Sequence, residues 1–124
     1  MLETLRASRR SRQPTGKLAD EGPSLRRQIA TLIAHWRPVL GLQAWLLDIR
    51  YDEAVLLGYC RAKPQYQTAT IGFNLQRIRR ELRSPEAIED LVVHELTHAV
   101  IWRSSERAVS QVSLALLRAA GRKI

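Results

Sequence analysis

Apolar and polar positions repeat along this chain with two distinct periods, and the switches between them divide it into elements. From Ser24 onward, Leu25, Ile29, Leu32, Ile33 and Trp36 recur every three or four residues, the spacing of one helical face. Ser24 suits the N-cap of such a helix, and Pro38 predicts its end near Trp36. Past Gly41 the period falls to two. Trp45, Leu47, Ile49 and Tyr51 alternate with Leu46, Asp48 and Arg50, as in a strand with one buried face. "LLGYCRA" (residues 56–62) and "QTATIGFN" (residues 67–74) predict two more strands, the second with Ala69, Ile71 and Phe73 on one face. The turn residues around Lys63-Pro64-Gln65 predict that these two pair as an antiparallel hairpin.

The longer period returns in "RSPEAIEDLVVHELTHAVIW" (residues 83–102). Ser84 suits its N-cap, Pro85 its first helical position, and Glu86 and Glu89 the positive end of its dipole. This helix is expected to reach Trp102. "RSSE" breaks the pattern, and Ser104 or Ser105 caps a last helix with a stripe of Val109, Val112, Leu116 and Ala120, closed by Gly121. The order of helix, three strands and two helices is an α+β arrangement. Residues 1–22 mix Arg, Ser, Gln, Pro and Gly with few large apolar side chains. They read as a flexible basic tail, and "EGPS" marks the boundary to one domain over residues 23–124.

Composition sets the limits. A chain of 124 residues, 45% hydrophobic and 26% charged, is a single globular domain with a modest core. No apolar run approaches the ~20 residues that span a bilayer, and the N-terminus lacks the apolar stretch of a secretory signal. A cytoplasmic protein without membrane contact is expected. The single cysteine, Cys60, excludes an internal disulfide and reads as a small buried hydrophobe. The net charge of +8 suits nucleic acid or an acidic partner. However, the arginines are spread out and no aromatic residues interleave with them, so nucleic acid is weakly supported.

The segment "VVHELTHAV" (residues 92–100) carries the chemistry. His94 and His98 are four residues apart, which puts both imidazoles on one helical face, one turn apart, where they can share a zinc ion. Glu95 lies roughly 100° further round. It is poorly placed as a ligand and well placed to reach a water on the metal. A catalytic zinc needs three protein ligands plus that water. The metal lowers the water's pKa towards ~7, and a carboxylate takes the proton as the water attacks a carbonyl. HExxH is short enough to arise by chance, so its setting matters. Leu91, Val92, Val93, Leu96, Ala99, Val100, Ile101 and Trp102 make the helix apolar nearly all round, hence buried, and its inward-facing histidines and glutamate then need partners.

The third ligand is less direct. His35 is the remaining histidine, but no second ligand lies one turn from it, and it reads as structural or exposed. The longer HExxHxxGxxH pattern fails, because Ile101 and Ser104 stand where its glycine and third histidine belong. Downstream of His98 the only acid is Glu106, in the first turn of the last helix and at the edge of its apolar stripe. Glu106 is the expected third ligand and Asp90 the fallback, though three ligands in line on one helix surround a metal poorly. Tyr59, Tyr66 and Arg103 are candidate donors to a transition-state oxyanion.

"GLQAWLLDIRY", "QTATIGFN" and "IEDLVVHELTHAVI" together resemble the small metallopeptidases of phages and bacteria, minimal zincins related to the gluzincin clan and, more distantly, to SprT-like proteases. The resemblance runs from about Ser24 to the C-terminus, with HExxH its specific part. It implies a zincin-like fold: a helix on a small sheet, the HExxH helix beneath it, and a later helix that brings a glutamate. It implies zinc on His94 and His98, with Glu95 as the base. It also implies that the "TATIGFN" strand is the edge along which an extended peptide substrate lies. The glutamate helix of such families often carries more than one acid, whereas here Glu106 stands alone. The zinc ribbon and DNA-binding part of SprT-like proteins are missing. A zinc metallopeptidase is therefore the leading expectation. The alternatives are a zincin-fold binding or adaptor protein that no longer uses catalysis, with nucleic acid among its partners, and a metal-dependent phosphodiester hydrolase.

Overall fold

A computed structural model describes residues 18–52 and 56–122. Helix α1 (Leu18–Val39) leads into strand β1 (Leu46–Arg50). Strands β2 (Gly58–Lys63) and β3 (Thr68–Phe73) follow, joined by a single 3-10 turn (Pro64–Tyr66). Then come α2 (Leu75–Glu81), α3 (Pro85–Val100) and α4 (Glu106–Ala119). The α+β class and the small three-stranded sheet are as expected. The first helix begins at Leu18 and passes through Ser24, which is therefore not its cap. A Gly-Pro pair removes one backbone donor and disfavours a helix without forbidding it. Of the tail expected over residues 1–22, residues 1–17 lie outside the described residues and 18–22 form the start of α1.

The β2–β3 hairpin is antiparallel, with Cys60 opposite Ile71, and Gln67 closes its turn in the left-handed region (φ 51°). β1 pairs in parallel with the other side of β3, Ile49 beside Ile71, so the strand order is β1-β3-β2. Ala69, Ile71 and Phe73 are buried, as their spacing predicts. The "TATIGFN" strand is consequently central. Both of its edges are consumed by hydrogen bonds to neighbouring strands, which corrects the expectation that it offers a free edge.

Helix α2 was not foreseen. Asn74 caps it by accepting the Arg77 N–H at 3.1 Å, and Ile78 anchors it in the core. Ser84 caps α3 through the Ala87 N–H at 3.1 Å. This helix stops at Val100 rather than Trp102, because Ile101 leaves helical geometry (φ −119°, ψ 54°). Ser105 caps α4 through the Ala108 N–H at 3.2 Å. The buried line of α4 is Val109, Ser113 and Leu117, whereas Val112 is 40% exposed. Ser113 tolerates burial because its hydroxyl donates to the Ser110 carbonyl at 3.1 Å, and its small side chain fits on the face turned to the core.

α3 is the hub, packed against α1, α4 and β2. Its Val92, Val93, Leu96 and Ala99 join Leu25, Ile29, Ile33 and Trp36 of α1 and the inward residues of β3 in one core. One contact between α1 and α3 is polar. The Trp36 indole N–H donates to Glu89 Oε2 at 2.7 Å, and Arg122 donates to both Glu89 oxygens at 2.6 and 3.0 Å. These donors, led by Arg122, hold the buried Glu89 carboxyl below its ordinary pKa. A depressed folded-state pKa gives stability that is present above the unfolded value of about 4.5 and is lost as pH falls below it. Glu89→Ala leaves the Trp36 indole without its acceptor and Arg122 with the Ala120 carbonyl but no carboxylate. It is expected to lower unfolding stability by roughly 2–3 kcal/mol at pH 7. In urea titrations the deficit should shrink as pH falls below 4; a deficit unchanged at low pH would mean that cavity formation, not the ion pair, is being measured.

Candidate metal centre

Helical periodicity stacks His94 and His98 on one face of α3, with ring centroids 4.9 Å apart and planes at 79°. Both side chains are about one-fifth exposed (21% and 19%). The turn after α3 is short and is closed by the Ser104 N–H to the Ile101 carbonyl at 2.8 Å. It folds α4 back against α3 and delivers Glu106, the first residue of α4, to the two histidines. His94 Nε2 lies 3.0 Å from Glu106 Oε1, and His98 Nε2 lies 2.8 Å from Glu106 Oε2. One carboxylate thus spans two imidazoles. The three sequence-predicted ligands meet at one point.

Two imidazole nitrogens and a carboxylate oxygen are the donor types of a borderline divalent cation. Each of the three residues offers a ligand atom within 4.8 Å of the others. Metal–ligand bonds of about 2.0–2.2 Å at tetrahedral angles set donor separations near ~3.3 Å, a little more than the 3.0 and 2.8 Å between Glu106 and the two histidines. A carboxylate bridges two imidazole nitrogens best while they carry protons, and a cation replaces those protons. The donor set therefore fits a metal.

Glu95 points elsewhere, as its angular position predicts. It is 5% exposed, and among the described residues no hydrogen bond or ion pair engages its carboxyl. Burial first, and then the nearby Glu106 charge, push its pKa up to about 7. The backbone of β2 lies directly over it. A Cβ on Gly58 would sit 3.1 Å from Glu95 Oε2 and 3.2 Å from the Gly72 carbonyl oxygen, tighter than ordinary van der Waals contact, so a larger residue here would crowd the carboxyl. Cys60 follows on the same strand. Burial, with a lesser contribution from Glu95, pushes its thiol up to about 12, so it is a neutral, half-buried wall residue. On the opposite face, Tyr59 lies across Gly72 and donates to Asp52 at 3.0 Å.

These groups line one open cavity of about 620 Å³ that holds His94, Glu95, His98 and Glu106 together, with Leu56, Leu57 and Leu91 as apolar walls. Arg77 also lines it, its guanidinium held by Glu81 at 2.7 and 3.0 Å. Sequence reasoning passed over Gly58 and Arg77. The signal for Arg77 was the Asn74 cap with Leu75, Ile78 and Leu82 at helical spacing. His35 is exposed, edge-on to Trp36, and remote from this cluster. Asp90 is exposed and outside the cluster. Of the three candidate oxyanion donors only Tyr59 borders the cavity. Tyr66 is 71% exposed on the hairpin turn, and Arg103 stacks on Trp102 at 4.5 Å. Several arginines are occupied internally, Arg50 by Asp48 and Arg122 by Glu89. No helix among the described residues is long and apolar enough to cross a membrane.

Comparison of the chain with family models, with curated proteins and with solved structures gives no match.

A raised carboxyl pKa has a thermodynamic consequence. The folded state holds the Glu95 proton up to about pH 7, while the unfolded chain releases it near 4.5. The stabilisation is full below 4.5 and is lost as pH rises to 7. In chelator, the wild type should lose up to about 3 kcal/mol relative to Glu95→Gln between pH 5 and pH 8. Urea unfolding at the two pH values reads this directly. Parallel curves for the two proteins would show that the carboxyl is solvated.

Proposed function

We propose that this chain is a zinc-dependent peptidase that hydrolyses peptide bonds at the His94–His98–Glu106 centre. The observation that carries the reading is the convergence of both imidazoles on the two Glu106 oxygens at 3.0 and 2.8 Å. That convergence borders the same cavity as a buried Glu95 that has no partner among the described residues. Two histidines and one carboxylate are the ligand set of a catalytic rather than a structural zinc, since they leave a coordination position open. When bound, zinc supplies a Lewis acid that polarises the scissile carbonyl and makes water a nucleophile near neutral pH.

The chain's own residues supply the rest. His94, His98 and Glu106 hold the ion at the cavity wall. Glu95, with its pKa near 7, is matched to taking a proton from the attacking water and returning it to the leaving amine. Gly58 keeps that carboxylate in place by giving it room. Among the described residues β2 pairs only with β3, so its outer edge offers main-chain donors and acceptors beside the cavity. An extended peptide can add there as a further strand, which assigns to β2 the role expected of β3.

Purified wild type is expected to bind about one zinc per chain. His94→Ala should abolish binding, and Glu106→Ala should weaken it at least ~10-fold. Glu95→Gln should keep the zinc and lower peptide turnover by ~10²–10⁴-fold. Elemental analysis and peptide cleavage measured by mass spectrometry test this together. Zinc bound with no Glu95-dependent cleavage would favour a binding protein on the same fold. No zinc even after reconstitution would end the peptidase reading.

A further inference from the structure

A second, smaller cavity of about 200 Å³ adjoins the first, and the two share Leu57, Leu91 and His94 as a common wall. Leu82, Ala87 and Asp90 complete it. Leu57, Leu82, Ala87 and Leu91 are half-buried, whereas Asp90 is exposed, so the leucines form the body of the cavity and the carboxylate its lip. Asp90 lies one turn before His94 on the same face of α3, with Glu86 a further turn back. Asp48, Glu81 and Glu89 each hold an arginine, yet no hydrogen bond or ion pair among the described residues engages Asp90, in a protein of net charge +8.

We propose that this cavity is a substrate subsite for lysine or arginine beside the scissile bond, and that Asp90 is the residue that selects it. The inference rests on the peptidase reading above. A side chain entering past His94 meets apolar walls first and a carboxylate at the rim. An aliphatic stem with a cationic end satisfies both, the stem covering the leucines and the head staying at the wet edge. A purely aliphatic side chain fills the walls and leaves the carboxylate unused. An acidic one meets repulsion from Asp90.

The test uses the zinc-loaded full chain. Cleavage sites are mapped by mass spectrometry on a randomised peptide mixture. Matched peptides carrying lysine, norleucine or glutamate at the position flanking the cut are then compared. Norleucine keeps the stem and removes the charge. The wild type should cut beside lysine and arginine, with kcat/KM for lysine about tenfold above norleucine. Asp90→Asn should bring that ratio close to one, and Asp90→Lys should turn the preference towards glutamate. Because the readout is a ratio within one protein, partial loss of folding or zinc does not imitate it. Cleavage by the wild type without enrichment of basic residues, or an unchanged ratio in Asp90→Asn, overturns the subsite and leaves the peptidase reading intact. No cleavage of any peptide by zinc-loaded wild type overturns both.

Discussion

Helix α3 is enclosed by α1, α4 and β2, and yet it carries Glu89, Glu95, Thr97 and two histidines. Burying such groups costs several kcal/mol each unless they find partners or give up charge. Much of the surrounding architecture answers that constraint. α1 contributes an indole N–H, and the residues after α4 contribute a guanidinium. Thr97 turns its hydroxyl back to the Val93 carbonyl at 2.6 Å. α4 brings a carboxylate to the histidines. Only Glu95 is left with its proton as the remedy.

The two buried glutamates of α3 illustrate how environment assigns roles. Glu89 is surrounded by donors that favour its anion, led by Arg122, so its pKa falls. Glu95 is buried under the β2 backbone, with another carboxylate nearby, so its pKa rises. The first group is fixed in charge over the neutral range and ties three parts of the chain together. The second changes charge within that range, which is the property general acid–base chemistry uses. The same helix thus carries a structural anion at one end and a proton-exchanging group at the other.

The sheet matters chiefly for where it puts β2. With β1 and β3 occupying the far side, the outer strand is the one that packs most extensively on α3, and its glycine passes over Glu95. The free strand edge, the carboxyl and the histidine–glutamate cluster therefore open on one cavity. The absence of a side chain at Gly58 leaves the Glu95 carboxyl uncrowded by the strand that passes over it.

Much of this could be read from local pattern. The periodicities located three strands and the long helices, and Ser84 and the Ser104–Ser105 pair marked helix starts because capping is a matter of adjacent residues. The spacing of His94, Glu95 and His98 put two groups on one face and the third off it, since a helix fixes those angles whatever surrounds it. Glu106 followed from there being no other acid downstream. Relations between distant segments were beyond such reasoning. Alternation in β1 and β3 shows which face is buried and says nothing about which strand lies in the middle, so the parallel pairing of β1 with β3 was missed and the free edge was assigned to the wrong strand. Glu89 looks like a surface acid favouring the helix dipole until α1 and Arg122 close over it. Asp90 and Glu95, similar in composition, received opposite surroundings from packing alone. Burial, charge state and cavity shape belong to the assembled fold, because each is set by atoms that the chain brings together from far apart.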